Sequence, residues 1–510
     1  MSTNALAMIR ASNGQMPASD TRDGIQEYLD ECADMGDRRI EQYAMYREFY
    51  EGDHDVELTD RAREYLERKG VRFRENFCEP MVDMVGERLT VSGFDVMIGD
   101  DEGGDAADGL AEWLDRSFWR ANRLDETANV VHSIALSRGD SFGIVGYDNV
   151  AGRPTFSYNA PEGMKAVYAD DDPDRMVCAI KTWTTTEVGP SNPTGRTVCR
   201  MNLYHPDRIE RWFKLHNSSG RGGWSRWMDA PGEDGMPAAW PTPWIDGEGN
   251  PLGIPVVHFR NRAQGDQYGR SELVNVVPQN VLLNKQVLDL AMVLDNQGWP
   301  QRWVAGVDPT TAQFKTAPGE VWVANAKDAS FGQFNTADVG PLIEAIEATL
   351  SRMARRSGMP LHMLTGGDMP SGEAMKTAEA RLVKRVGDRS ISFGNRWEDA
   401  ALIAMRLAAV AGTLPVQVDL AEITIDTLWD SPESRDDKAE AETALLHHSL
   451  GASKQTLLAR IGFDPAQEAE RRAEEGEEAA EQAAKFFDGG SDMTERPVGN
   501  QTPPGETDDE

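Results

Sequence analysis

The sequence is short of positive charge. It carries 52 Lys+Arg against 85 Asp+Glu, a net of −33 at neutral pH. A surface this acidic excludes a coat of nucleic acid, because phosphate binding needs clustered Lys and Arg. It also excludes adhesion to anionic lipid. Cysteine is scarce. Cys32, Cys78, Cys178 and Cys199 are scattered, with no C-x-x-C pair and no zinc spacing. They read as the free thiols of a cytosolic chain. No apolar run reaches about 18 residues, the least that crosses a bilayer. Residues 1–20 have no apolar core behind a basic start, so no signal peptide is expected in them. Together these absences lead us to expect a soluble, cytosolic protein.

Catalytic signatures are missing too. There is no G-x-x-x-x-G-K-[ST], no H-E-x-x-H and no G-x-S-x-G. Gly247-Glu248-Gly249 lacks the G-x-G-x-x-G spacing and opens no helix. Two acidic clusters, Asp100-Asp101-Glu102 and Asp170-Asp171-Asp172-Pro173-Asp174, offer the oxygens that hard cations take. Neither has calcium-loop spacing, so each reads first as a solvated turn. His447-His448, His362 and Asp53-His54-Asp55 have no evident partner and read as ordinary surface or core positions. No catalytic residue, cofactor or metal is expected. The balance moves toward a structural or binding role.

What is present is an ordered series of elements. At 510 residues the chain has about three or four domains' worth of length. Apolar residues at three- and four-residue steps predict helix over 24–50, with a break at Gly36. Thr59 opens a helix toward Gly70, and 76–89 form another, with Pro80 in its first turns. Residues 90–97 alternate as a strand, 98–109 are an acidic Gly-rich loop, and 110–138 read as helix. From 139 the texture turns to short strands: 141–147, 155–158, 164–168, 177–184, 198–204, 208–214 and 255–259. Residues 216–253 are rich in Gly, Pro and Trp and read as a long loop or ragged hairpin. Ser271 caps a helix to Asn296, kinked at Pro278. A β-rich insert spans 299–338, with strands over 301–306 and 320–324. Pro341 starts a helix that stops near Gly358. A Gly/Pro loop leads to Ser371, which caps a long helix to about Val410, bent at Gly387 and Gly394. Residues 416–429 alternate again. From Asp430 onward, 21 acidic and 8 basic residues form an acidic helical tail that ends in a segment read as disordered.

This order resembles the portal proteins of tailed bacteriophages, in particular the siphophage type of actinobacteriophages. The phrases that carry the resemblance are Tyr50-Glu51-Gly52-Asp53-His54, Asn76 with Val82-Asp83-Met84-Val85-Gly86-Glu87-Arg88-Leu89, Tyr268-Gly269-Arg270-Ser271-Glu272-Leu273, and Pro370-Ser371-Gly372-Glu373-Ala374 leading to Trp397. It spans residues 25 to 465. The resemblance implies an α+β, portal-type multi-domain subunit. Its parts would be a disordered leader (1–24), a wing (25–260, with a strand returning at 411–430), a first stem helix (261–297), a clip (298–338), a second stem helix (339–357), a tunnel loop (358–371), a long bent helix (372–410), a crown (431–487) and a disordered acidic tail (488–510). It further implies a dodecameric homo-oligomeric ring at one capsid vertex of the virion. Double-stranded DNA would pass through without sequence specificity. The expected partners are the terminase large subunit, the major capsid and scaffolding proteins, and a head–tail adaptor protein. The family implies no catalytic residues, since terminase hydrolyses the ATP.

By the same resemblance Met359, Leu361, Met363, Leu364 and Met369 belong to the tunnel loop. Met adapts its shape cheaply, which suits a loop that shifts against a passing duplex. Trp299, Arg302, Trp303 and Trp322 belong to the clip that docks the motor and adaptor. Twelve copies at −33 sum to −396, which repels DNA from most of the surface. One stretch departs from this. Residues 352–396 hold nine basic and four acidic residues, and Arg381, Arg385 and Arg389 share a helix face. That face either touches DNA or pairs with acids of a neighbouring subunit or of the wing. Two other classes were weighed. A minor capsid protein would not need this order of elements. A metal-dependent nuclease would have to use Asp170–Asp174.

Overall fold

The computed structural model describes residues 22–34, 36–56, 60–70, 74–99, 104–189, 192–215, 223–228, 239–263, 265, 267–297, 302–307, 328–333, 338–365 and 372–432. The expected crown and acidic tail lie outside these, as do residues 320–324. Among the described residues four helices come first: α1 (Arg22–Ala33), α2 (Asp37–Tyr50), α3 (Asp60–Lys69) and α4 (Cys78–Gly86). Residues 22–24, expected in the leader, already belong to α1. Gly36 sits between α1 and α2 with φ 75°, a left-handed conformation in which glycine has no Cβ to clash. After β1 (Val91–Ile98) the helix α5 (Asp105–Trp113) begins earlier than the expected loop allows.

The stretch 110–138 is not one helix. α5 widens into a π turn over Leu114–Trp119, tightens over Arg120–Asn122, and stops at Arg123, whose φ is 55°. α6 (Leu124–Arg138) then starts afresh. Leu114, Phe118 and Leu124 are all fully buried, so the apolar period runs on across the break. Period alone therefore does not reveal it.

The β-rich lobe follows: β2 (Asp140–Asp148), β3 (Arg153–Asn159), β4 (Met164–Tyr168), β5 (Met176–Gly189), β6 (Asn192–Tyr204), β7 (Arg208–Leu215), the two-residue β8 (Ser225–Arg226) and β9 (Thr242–Pro243), and β10 (Val256–Arg260). Strands β10, β2 and β3 form one antiparallel sheet, with His258 opposite Phe142 and Phe142 opposite Asn159. Strands β4 to β8 form a second, with β9 on the edge of β7. α1 covers the second sheet. Tyr28, Leu29 and Cys32 pack there against Val177, Cys178, Ile180, Met201 and Trp212. Gln26 locks the helix in place, accepting from the Trp224 N–H at 2.6 Å and donating to its carbonyl at 2.9 Å.

Among the described residues the rest is helical apart from two small sheets. α7 (Val277–Gln297) leads to the hairpin β11 (Arg302–Ala305) and β12 (Ser330–Gln333). Then come α8 (Gly340–Ser357), the short α9 (Leu361–Thr365), α10 (Gly372–Val410) and β13 (Ile423–Trp429), which pairs antiparallel with β1. Pro278 is the second residue of α7, where its missing N–H costs nothing, so it ends no turn and kinks no helix. Residues 416–421 form no strand. The arrangement is α+β, with helices and antiparallel sheets in separate groups.

The 39-residue α10 is the spine of the main core. Of the apolar face Met375, Leu382, Val386, Phe393 and Trp397, the last four are buried and Met375 is half-buried. Trp397 meets Trp119 edge-on at 5.1 Å, Phe259 at 4.8 Å and Phe156 at 5.2 Å. Burial stabilises by about 1.5–3 kcal/mol for each such side chain. Gly394 lets β13 approach: a Cβ there would lie 3.2 Å from Trp429 Nε1.

Candidate functional site

The basic stretch of α10 meets two other elements at one junction. Ser271 accepts from the Leu273 N–H at 3.0 Å and so caps a 3-10 turn over Glu272–Asn275 just before α7. That cap turns the Glu272 side chain inward, where only 2% of it is exposed. Arg389 donates to Glu272 Oε1 through Nε at 2.9 Å and Nη2 at 2.7 Å. Arg385 donates to Oε2 at 2.5 Å. Asn261 donates to Oε1 at 3.2 Å, and Arg262, held at φ 54°, reaches Oε2 at 3.5 Å. Burial alone would push the Glu272 carboxyl up, but Arg385 and Arg389 outweigh it and hold it below the ordinary range.

The same arginines close the end of α8. Arg381 donates to the Arg355 carbonyl at 3.2 Å, and Arg385 donates to the Ser357 carbonyl. These carbonyls sit at the helix C-terminus, where cations satisfy orphan acceptors and oppose the helix dipole. Gly358 ends the helix at φ 74°. Arg381, Arg385 and Arg389 thus bind the turn before α7, the end of α8 and α10 into one unit. Beside them opens a cavity of about 400 Å³.

Other expected site residues fall as follows. Met359 is buried in the main core at 5% exposure. It reaches the core from the expected tunnel loop because the chain turns at Gly358, where the Met359 N–H donates to the Ala354 carbonyl at 3.0 Å. Residues 358–365 are not all loop, since Leu361–Thr365 form α9. Leu364 packs on the core, Met363 is half-buried, and Leu361 is exposed. Met369 lies outside the described residues, as do Trp299 and Trp322. Arg302 and Trp303 lie on β11. The Trp303 ring covers Gly332 opposite it: a Cβ there would fall 2.4 Å from the ring, so only glycine fits. Trp303 remains 40% exposed.

The acidic cluster 170–174 forms the turn between β4 and β5. Asp171 pairs with Arg175 at 2.7 Å, Asp174 pairs with Arg260, and Asp172 accepts from the Asp174 N–H at 2.9 Å. Among the described residues, no group of three or more His, Cys, Asp or Glu side chains is placed to hold a metal. Cys32, Cys78 and Cys178 are buried, and burial pushes the Cys32 and Cys78 thiols up to about 12. That removes them from nucleophilic chemistry at neutral pH.

Sequence reasoning missed two polar devices. Glu272 stands in the segment Tyr268–Leu273, and nothing in the sequence ties it to the arginines. A basic row at four-residue steps on a helix that also carries a core stripe is the signal for a buried acid. The second device is Asn280 and Asn284, one turn apart on α7 and both fully buried. They bracket the extended segment before α4. Asn284 accepts from the Glu75 N–H at 2.8 Å and donates to its carbonyl at 2.8 Å. Asn280 accepts from the Phe77 N–H at 3.0 Å.

Comparison with known proteins places the chain in a family. The curated Portal protein of Mycobacterium phage D29 is 28% identical over 427 residues, covering 78% of each chain. The Portal protein of Mycobacterium phage L5 is 26% identical over 421 residues, with the same coverage. Among solved structures, a chain from the neck of an empty GTA particle aligns at a TM-score of 0.42 and 14% identity. The alignment covers 81% of this chain and 95% of that one, a likeness too loose to carry a structural argument. Residues 29–482 match the family described as Phage portal protein, SPP1 Gp6-like, and the chain belongs to that family.

Proposed function

We propose that this chain is the subunit of a ring that forms the DNA channel at one capsid vertex of a tailed bacteriophage. The ring takes DNA in during packaging and releases it at ejection. It docks the terminase large subunit through the hairpin β11–β12 and its surrounding segment, and later the head–tail adaptor. Its further partners are the major capsid and scaffolding proteins, and it resides in the virion after synthesis in the bacterial cytoplasm. The observation that carries this reading is the family membership over residues 29–482.

The surface is consistent with it. α7 and α8 pack on each other and leave Leu282, Leu294 and Ile343 exposed. Apolar side chains exposed on a helix pair suit contact with further copies. The net charge of −33 suits a conduit that guides DNA without holding it, because each neutralised phosphate adds affinity that translocation must break. The reading is tested by complementation. A phage lacking this chain should fill no heads, and supplying the chain in trans should restore filled heads. Filled heads without it would place it elsewhere in the virion.

A further inference from the structure

The cavity beside Glu272 is strongly cationic. Arg262, Arg356, Arg381, Lys384, Arg385 and Arg389 line it, against Glu272 and Asp388. Six positive and two negative groups leave the lining at +4, in a chain of −33. Glu272 is already shared by three arginines and has nothing left for the rest. Arg356 and Lys384 are exposed at the cavity and have no hydrogen-bond or ion-pair partner among the described residues. The lining therefore fits an anion supplied from outside the described chain.

Two sources of anion are available to a portal: DNA phosphates and protein carboxylates. Lys384, Asp388 and Ile391 stand four and three residues apart on α10, so they share one face. Ile391 is 68% exposed, the most exposed large apolar side chain of that helix. An apolar anchor beside a charged rim is the pattern of a protein contact. A phosphodiester gains nothing from isoleucine. Acidic side chains are abundant on this protein itself, with 85 per copy. Copies at −33 repel one another, so a contact between them needs opposite charge where they meet.

We propose that this cavity is a socket for carboxylate side chains of a second copy of the chain. Arg356 and Lys384 receive the carboxylates, and Ile391 anchors the adjoining apolar contact. The proposal rests on the ring reading above and adds the site through which copies engage.

The test compares the full-length chain with the variant R356E/K384E, the milder R356Q/K384Q and, separately, I391S. All three positions are exposed and lie outside the Glu272 hydrogen bonds, and melting curves check that the folded monomer persists. If the glutamate pair does not fold, the glutamine pair carries the test. Sedimentation velocity follows assembly at increasing NaCl. The wild type should form rings that loosen as salt screens the contact. The glutamate pair should need about tenfold more protein to assemble at the same salt, a difference within the reach of a few charge contacts. The glutamine pair and I391S should fall between. Wild-type rings matched by equally stable variant rings would overturn the socket while leaving the ring intact. If those variants instead lose affinity for a short DNA duplex by fluorescence anisotropy, the cavity serves phosphate. A wild type that never assembles, even when produced together with its scaffolding and capsid proteins, would remove the ring reading and the socket with it.

Discussion

The indole N–H of Trp397 donates to Nε2 of His132 at 2.9 Å, deep in the main core. The imidazole is fully buried and stacks on Phe393 at 5.2 Å. Burial pulls its pKa down to about 3, so it stays neutral and accepts from the indole. In the unfolded chain a histidine titrates near 6.5. The contribution to stability is therefore complete above about pH 6.5 and is lost as pH falls toward 3. Replacing His132 with Phe should flatten stability against pH in that window, read by urea titrations from pH 7 to pH 4. Replacing Trp397 with Ala should cost about 3–5 kcal/mol. A wild-type NMR signal for His132 titrating near 6.5 would refute the assignment.

Glu272 works in the opposite sense to a solvated glutamate. Its folded pKa lies below the ordinary carboxylate value, because Arg385 and Arg389 outweigh the effect of burial. The stability it contributes is present above about pH 4.3 and is lost as pH falls below that. Replacing Glu272 with Gln leaves Arg385 and Arg389 partly buried beside a neutral amide. The expected loss is about 3–5 kcal/mol at neutral pH, with a shallower acid limb than wild type. Denaturant titration at pH 7 and pH 4 measures both. Equal stability at pH 7 would contradict the junction described here.

Asn280 and Asn284 stand in for a β-strand, offering side-chain amides to the backbone at Glu75 and Phe77. Replacing Asn284 with Ala strands the Glu75 N–H and should cost about 1–3 kcal/mol. Hydrogen exchange should speed up at Glu75 and Phe77 before it does elsewhere. Replacing Asn284 with Leu should restore volume without restoring protection.

Two glycines of α10 should respond in opposite ways. At Gly387 a Cβ meets nothing within 4 Å, whereas at Gly394 it meets Trp429 Nε1 at 3.2 Å. Gly387→Ala should stabilise by up to about 1 kcal/mol through helix propensity. Gly394→Ala should destabilise by pushing β13 off the helix, and thermal melting of the two variants compares them. Reading both glycines as bends treated them alike. The sequence cannot show that one faces open space and the other faces a strand some thirty residues later.

Most elements were legible because their periods are strong. The alternating strands from β2 to β7 and the stripe Leu382, Val386, Phe393, Trp397 are plain in the chain. The break at Arg123 was not, because a non-glycine left-handed residue leaves no mark in composition. Nor was the place of Met359, since a methionine between Gly358 and Pro360 reads as loop until the turn at Gly358 is known to fold it inward. The partner of Arg385 and Arg389 was hidden for a related reason. Glu272 is more than a hundred residues away, and only the Ser271 cap turns it toward them.

The proposed ring has a DNA-sized hole. The most direct measurement is native mass spectrometry with negative-stain imaging of the full chain, produced together with its scaffolding and capsid proteins. Closed rings of about twelve subunits with a central channel are expected, consistent with the closed cyclic symmetry of soluble oligomers. Monomers, dimers or open filaments alone, under those conditions, would contradict it.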